Sequence, residues 1–233
     1  MNRAEDVTFK NRKDAGRRLA ARLLPYKAEN PVVLVLPRGG VPVGYEVAAA
    51  LDAPLDVIVV RKLGAPDQPE LGIGAVVDGD HPQSVLNEEV LRTLRVSQAY
   101  LSREVALELA EIRRRQELYR GGRPPVNVAG RTVIVVDDGI ATGGSMRAAL
   151  RGVRRNNPKR LVLAVPVAPP DTIESLRPEV DEVVCLGTPL LFAAVGQFYE
   201  DFRQTTDEEV VRLLEAARQR HDAAGAKETA SQR

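Results

Sequence analysis

The sequence has no tryptophan and a single cysteine, Cys185. One cysteine excludes an internal disulfide and a metal site built from several cysteines. Cys185 lies in the apolar run 183–186, and no His or Lys stands beside it to make a reactive thiolate. We therefore predict a small core residue at this position and not a nucleophile.

An excess of one charge and long apolar runs are missing as well. The 33 basic and 32 acidic residues leave a net charge of +1, which disfavours a partner that needs a field of one sign, such as nucleic acid or a membrane surface. The segment 1–20 is too charged for a signal peptide. No apolar run approaches the roughly 20 residues of a membrane span. These absences predict a cytoplasmic protein.

Apolar residues make up 44% of the 233 residues, which predicts one packed domain over 1–222, followed by a disordered tail at 223–233. Runs of valine, isoleucine and leucine predict strands at 31–36, 55–60, 71–77, 84–86, 132–136, 160–165 and 182–186. Helical patterns fall at 10–24, 42–51, 97–119, 144–156, 171–176 and 207–220. Continuous apolar strands alternating with helices predict the α/β class, with a mainly parallel sheet flanked by helices.

Two parts of the chain break this alternation. The segment 72–86 reads as a β-hairpin with its turn at 78–82, and 97–120 reads as one long helix with an apolar stripe. We expect them to form an insertion into the parallel sheet. The charge run Arg113–Arg115 is most simply the solvated end of that helix.

The most informative segment is 131–145, Arg-Thr-Val-Ile-Val-Val-Asp-Asp-Gly-Ile-Ala-Thr-Gly-Gly-Ser. An apolar strand runs directly into the paired acids Asp137 and Asp138, and a loop of glycine and hydroxyl residues leads into a helix. In a parallel sheet this loop lies at the carboxyl end of its strand, where ligands bind. The N–H groups and hydroxyls of 142–145 suit a phosphate, and the carboxylates suit vicinal hydroxyls or a metal. A ribose 5-phosphate combines these groups.

Other phosphate loops fit the sequence less well. A Gly-Lys-Ser/Thr P-loop is missing, and the glycines at 72 and 74 lack the third glycine of a dinucleotide fingerprint. The remaining alternative is an ordinary strand–turn–helix, which leaves the adjacent acids unexplained. Neither His81 nor His221 has a partner at the spacing of a metal site or a catalytic triad.

The segment 133–145 closely resembles the signature of type I phosphoribosyltransferases, and its Asp-Asp-x-x-Ala-Thr-Gly-Gly form is most similar to adenine-type members. A weaker likeness extends over 31–185. The resemblance implies that the signature residues bind 5-phosphoribosyl-1-pyrophosphate: Asp137, Asp138, Gly139, Ile140, Ala141, Thr142, Gly143, Gly144 and Ser145.

The resemblance also implies two sites for the pyrophosphate. The family binds it on the loop after the first core strand, which corresponds to Arg38, Gly39 and Gly40. A cis or strained peptide is common in that loop, and we expect it between Arg38 and Gly39. A basic pair after the next strand corresponds to Arg61 and Lys62, which lack a partner in the local sequence and would be satisfied by an anion. The alternative for the loop at 38–40 is a plain turn, and the alternative for Arg61 and Lys62 is a surface charge pair.

The family's reaction displaces pyrophosphate from the anomeric carbon through a transition state that resembles an oxocarbenium ion. By resemblance the catalytic residues are Asp137, Asp138, Lys62 and Glu70, with the aspartates stabilising positive charge on the sugar. Mg²⁺ is the implied cofactor, held mainly by substrate and water near the two aspartates. The segment 63–70 has the composition of a mobile lid, and a homodimer is usual for the family.

The acceptor is a nitrogenous compound, a nucleobase by resemblance, and its identity stays open. Hypoxanthine-type members carry an aspartate where this chain has Ala141, and the loop acid Glu70 is a substitute base. Phe192, Phe198 and Tyr199 lie in 189–202, the candidate hood over the site. Their rings suit stacking on a heterocycle, although sealing a core or a dimer is the more usual role.

Three other functions remain open at this stage. A protein of this fold can sense the sugar pyrophosphate and bind nucleic acid without catalysis, which the near-neutral charge disfavours. A transferase for orotate, xanthine or a non-nucleobase amine would differ in its acceptor. A synthetase of the sugar pyrophosphate would need an ATP site, for which the sequence shows no motif.

Overall fold

A parallel sheet forms the centre of the molecule. The computed structural model describes residues 7–78 and 83–231, without the side chains of Glu70, Gln83 and 225–231. The strands are β1 (Val32–Val35), β2 (Leu55–Val57), β3 (Val60–Ala65), β4 (Gln68–Val77), β5 (Gln83–Leu86), β6 (Thr132–Val136), β7 (Arg160–Val167) and β8 (Glu182–Gly187). Five of them pair in the order β2-β1-β6-β7-β8, all parallel. The predicted α/β class is confirmed.

Helices cover both faces of this sheet. They are α1 (Arg12–Leu23), α2 (Gly40–Leu51), α3 (Glu88–Thr93), α4 (Gln98–Arg120), α5 (Gly144–Arg154), α6 (Pro170–Leu176) and α7 (Asp207–Ser231). Alternate strand residues point to opposite faces, so Val33 and Val35 pack with α1, α2, α4 and α7, while Val32 and Leu34 pack with α5 and α6. Burial on both faces explains the continuous apolar runs.

Polar side chains cap the starts of three helices. Asn11 and Ser97 cap α1 and α4, and the Thr206 hydroxyl accepts a hydrogen bond from Glu209 N at 3.2 Å at the start of α7. The short helix α3 was not predicted. Helix α7 continues to Ser231, past the predicted end at 220 and into the segment for which we predicted disorder, because alanine, lysine and glutamate there favour a helix.

The insertion forms a second sheet. Strands β3, β4 and β5 pair antiparallel, which confirms the predicted hairpin, although its turn at 79–82 lies outside the described residues. The predicted strand 55–60 is divided, since β2 ends at Val57 and β3 begins at Val60. Between them Ile58 N still donates to Val35 O of the parallel sheet at 2.9 Å, and Val59 O accepts from Asp78 N of the insertion.

The predicted lid at 63–70 forms a hairpin. Strand β3 runs to Ala65 and β4 begins at Gln68, with Asp67 in the left-handed conformation (φ 59°) at the turn. Helix α4 lies against this hairpin, and Tyr100 Oη donates to Gly64 O at 3.1 Å. The contact with α4 could not be read from local composition, and the mobility of this hairpin as a lid stays a prediction.

A buried ion cluster fastens the end of α4 to the sheet. Arg120 Nε lies 2.9 Å from Asp56 Oδ1, Nη1 lies 3.1 Å from Asp78 Oδ2, and Nη2 donates to Val57 O at 2.7 Å. Burial raises the pKa of Asp78 to about 6, against the opposing effect of Arg120. The Arg120 guanidinium therefore joins the end of α4 to strand β2 of the parallel sheet and to the end of strand β4 in the insertion.

Candidate active site

The paired acids lie at the carboxyl edge of the parallel sheet, as predicted. Strand β6 ends at Val136, and Asp137 and Asp138 follow directly beside the loop that leaves β1. A Cβ built on Gly39 would overlap Asp138 Oδ2, and one on Gly40 would lie 3.1 Å from Asp137 Oδ1. Glycines in the β1 loop thus allow its backbone to pass against both carboxylates.

The β1 loop contains a cis peptide, but one bond earlier than predicted. The cis bond joins Pro37 to Arg38 and not Arg38 to Gly39. Arg38 is half-buried near the start of α7. There the pKa of Glu208 is lowered by hydrogen bonds at the helix end, to which the charge of Arg38 adds.

The carboxylate of Asp138 is held by a residue that we did not predict. Arg12 Nε lies 2.7 Å from Asp138 Oδ2, and the backbone carbonyl of Asp138 accepts from Tyr199 Oη at 2.5 Å. Burial raises the pKa of Asp138, and Arg12 opposes that effect. No sequence signal links Arg12 to Asp138, because they stand 126 positions apart.

Asp137 is less constrained than its neighbour. Its Oδ1 accepts from Asp138 N at 2.9 Å, and within the described residues it forms no ion pair. Burial, and then the charge of Asp138, raise the pKa of Asp137 well above the usual range of a carboxyl group. A cation or a set of hydroxyl donors at this carboxylate would stabilise its charged form.

The loop after the acids leads into the start of α5, where the backbone amides are uncapped and exposed. Gly143 has φ 78°, and no side chain caps the helix. Thr142, Gly144 and Ser145 are exposed, and a Cβ on Gly144 would meet nothing within 4 Å. These amides are therefore available to an anion.

The first half of that loop is structural. A Cβ on Gly139 would lie 2.5 Å from Val195 Cγ1, and Ile140 is buried with its N–H donating to Val167 O at 3.0 Å. Ala141 O accepts from the Thr172 hydroxyl at 2.8 Å. Of the predicted binding residues, Gly139, Ile140 and Ala141 fix the loop and Gly143 is buried, while Thr142, Gly144 and Ser145 face solvent.

The predicted basic pair divides between two environments. Lys62 is exposed and lines an open cavity of about 940 Å³ together with Thr142, Gly144 and Ser145. Arg61 Nε instead lies 2.6 Å from Glu108 Oε2 on α4. Successive strand residues point to opposite faces, so the structure brings Lys62 to the signature loop and turns Arg61 away. Arg61 has no partner in the local sequence, but Glu108, 47 positions away, supplies one in the fold. Pyrophosphate binding by Arg61 stays a prediction.

The aromatic residues of the hood segment 189–202 seal a core. Phe198 and Tyr199 are buried around Phe9, and the rings of Phe192 and Phe198 are 5.1 Å apart. Only Phe192 of the three is half-exposed. The burial of Phe198 and Tyr199 favours their role in sealing a core over stacking on an acceptor. The side chain of Glu70 lies outside the described part of the chain.

A comparison with protein families identifies this arrangement. The model of the phosphoribosyl transferase domain matches residues 7–203, which is most of the chain.

The chain belongs to the phosphoribosyltransferase family.

Relatives of this phosphoribosyltransferase domain agree. Two curated proteins from Mycobacterium tuberculosis, strains CDC 1551 / Oshkosh and H37Rv, carry the provisional names phosphoribosyl transferase MT0597 and Rv0571c. Each is 48% identical over 223 residues, which is 96% of this chain and 50% of the relative. The chain thus spans about half the length of these curated relatives.

A solved structure also resembles this phosphoribosyltransferase domain. The crystal structure of TT1426 from Thermus thermophilus shares 49% identity and superposes with a TM-score of 0.78. The match covers 89% of this chain and 97% of TT1426. The shared fold therefore includes nearly all of that protein.

The phosphoribosyltransferase domain offers limited protein ligands for a metal. Among the described residues, no three His, Cys, Asp or Glu side chains are grouped to hold one. Asp137 and Asp138 fit a Mg²⁺ ion that takes its other ligands from substrate and water, since Mg²⁺ is commonly bound by one or two carboxylates plus phosphates. Over the same residues, no helix is long and apolar enough to cross a bilayer.

Proposed function

We propose that this domain transfers the 5-phosphoribosyl group from 5-phosphoribosyl-1-pyrophosphate to a nitrogen atom of a nucleobase-type acceptor. The observation that carries the proposal is the continuity of Asp137, Asp138 and the uncapped start of α5 at one sheet edge. A phosphorylated pentose carries a phosphate that suits the helix start and vicinal hydroxyls that suit the carboxylates. Family membership supports the same chemistry.

Each end of the sugar pyrophosphate has its own set of protein groups in this proposal. The amides and hydroxyls of Thr142, Gly144 and Ser145 receive the 5-phosphate, and the helix dipole of α5 favours its charge. Asp137 accepts hydrogen bonds from the ribose hydroxyls. On the other side of the ribose, the backbone of the loop 37–40 and the charge of Lys62 receive the pyrophosphate.

The reaction exchanges one bond at the anomeric carbon for another. The bond to the pyrophosphate oxygen breaks with its electron pair on that oxygen, and an acceptor nitrogen supplies the pair for the new bond and loses its proton to water or a base. The carboxylates stabilise the positive charge that develops on the sugar. Mg²⁺, when bound, offsets charge on the leaving pyrophosphate.

Binding of the sugar pyrophosphate tests the first half of the proposal. We expect Asp137→Asn to abolish calorimetric binding in the presence of Mg²⁺, because the substitution removes the charge that receives the hydroxyls. Asp52→Asn is the matched control, since Asp52 is an exposed acid at the end of α2 that pairs with Lys27. Equal affinity in wild type and Asp137→Asn, with both proteins folded, would refute the assignment.

Pyrophosphate release tests the transfer itself. Wild-type protein is incubated with the sugar pyrophosphate, Mg²⁺ and single acceptors drawn from purines, pyrimidines and simple amines. We expect release that depends on one class of acceptor and is lost in Asp137→Asn. Binding without release for every acceptor would leave a sensor of the sugar pyrophosphate and contradict the transferase proposal.

A further inference from the structure

We infer that Arg12 is a positioning residue of the active site, which acts by holding the Asp138 carboxylate in a fixed orientation toward the ribose. The inference rests on the proposed function above. Arg12 is the first residue of α1, far from the signature in the sequence. Its contacts distinguish it from an ordinary surface arginine.

Three contacts fix the Arg12 guanidinium from different directions. Nε lies 2.7 Å from Asp138 Oδ2, Nη1 donates to Arg203 O at 2.7 Å, and the guanidinium carbon lies 3.9 Å from the centroid of the Phe202 ring. The two charged side chains are 12% and 13% exposed, so water screens their attraction weakly. Arg12 thus has one position, set by the hood segment and the chain that follows it.

The geometry leaves Asp138 able to bind a ligand. A carboxylate has two oxygens and about four acceptor directions, and Arg12 contacts Oδ2 through a single N–H. The second face of Asp138 is packed against the glycine loop, where only Gly39 can fit. A carboxylate fixed by an arginine on one oxygen and by backbone on one side presents its remaining lone pairs in one direction.

The test compares Arg12→Met and Arg12→Lys with Arg18→Met. Arg18 lies on the same helix, donates from Nη1 to Thr8 O at 3.1 Å and stacks on Phe9 at 5.3 Å, but it does not contact either acid. The affinity for the sugar pyrophosphate with Mg²⁺ is measured by calorimetry at neutral pH. The rotamer of the Asp138 side chain is measured by NMR coupling constants in the absence of ligand.

We expect Arg12→Met to weaken binding about tenfold or more, as for loss of a charge-assisted bond. In Arg12→Met the Asp138 side chain should also populate more than one rotamer. Arg12→Lys should recover part of both effects, and Arg18→Met should match wild type. A purely structural role predicts lower thermal stability with unchanged affinity and an unchanged Asp138 rotamer.

Two results would overturn the inference. One is an unchanged Asp138 rotamer in Arg12→Met, and the other is tighter binding, which would mean that Arg12 blocks the acid. If Arg12→Met does not fold, Arg12→Lys carries the same comparison because it retains a charge. Failure of wild type to bind the sugar pyrophosphate would remove the proposed function, whereas the rotamer measurement would still decide the effect of Arg12 on Asp138.

Discussion

Gly143 and Gly144 are neighbours in the signature loop, yet the fold requires only one of them. Gly143 has φ 78°, and its Cβ would lie 3.1 Å from Thr172 Cγ2. Gly144 begins α5 in open space, where a methyl group would meet no protein atom within 4 Å. The absence of a side chain at Gly144 therefore serves the approach of a ligand and not internal packing.

Because the fold requires Gly143 but not Gly144, substitutions at the two positions should affect stability and ligand binding differently. We expect Gly143→Ala to lower the free energy of unfolding by about 1–2 kcal/mol, because an L-residue is strained in the left-handed region. Gly144→Ala should leave unfolding unchanged or slightly raise stability, but weaken binding of the sugar pyrophosphate by placing a methyl group in the phosphate cradle. Denaturant unfolding and calorimetry measure the two effects.

Gly130→Ala provides the control for strain alone. Gly130 has φ 69° in the turn before β6, and its Cβ would also meet nothing within 4 Å. The substitution should cost stability as Gly143→Ala does and leave affinity unchanged. A loss of affinity in Gly130→Ala as large as that in Gly144→Ala would contradict a local phosphate cradle.

Local sequence predicted these residues because their chemistry is contiguous. The acids, the glycines and the hydroxyls all lie between 137 and 145, so spacing alone placed them on one loop. Arg12 and Glu108 could not be found in this way, since each meets its partner, Asp138 or Arg61, across a long stretch of chain. Ion pairs between distant segments depend on packing that no local pattern encodes.

At the scale of elements, α4 is the helix that gives the insertion its position. Its buried face meets the core through Leu101 and Ile112, as the apolar stripe predicted. Its end is fastened by Arg120, whose two carboxylate partners stand on β2 and just after β4. The stripe could be predicted from its helical period. The partners of Arg120 could not, since Asp56 lies within a predicted strand and Asp78 within a predicted turn.

Removal of Arg120 should be costly. We expect Arg120→Met to lower the free energy of unfolding by about 3–5 kcal/mol, because it leaves the buried carboxylates of Asp56 and Asp78 without their cation. The loss should shrink as the pH falls toward about 6, the pKa of Asp78 in the folded wild type, because Asp78 without its cation takes up a proton at a higher pH than it does beside Arg120. Denaturant unfolding at neutral and mildly acidic pH measures both effects.

Arg114→Met tests whether any charge on α4 would give the same result. Arg114 is exposed and pairs with Glu111 on the same helix, so its removal should change stability little at either pH. A similar loss in both variants would show that the general charge of α4, and not the buried cluster, anchors the insertion.

At the scale of the whole molecule, the two ends of the matched domain meet beside the acids. Phe9 N donates to Phe198 O at 2.8 Å, and Glu200 N donates to Phe9 O at 2.9 Å. These two hydrogen bonds connect the N-terminal segment to the hood segment. Phe9 is fully buried, with its ring 5.3 Å from that of Tyr199. Tyr199 in turn holds the Asp138 carbonyl.

This chain of contacts predicts that packing at Phe9 is coupled to ligand binding. Phe9→Ala should lower the free energy of unfolding by about 3–5 kcal/mol and also weaken binding of the sugar pyrophosphate, because Tyr199 loses the ring that orients it. Ile112→Ala is the comparison, since Ile112 is equally buried but packs in the core beneath α4. It should cost about 2–5 kcal/mol with affinity unchanged at a temperature where both variants are folded. Equal affinity losses in the two variants would mean that binding follows global stability, and the hood segment would then have no special connection to the acids.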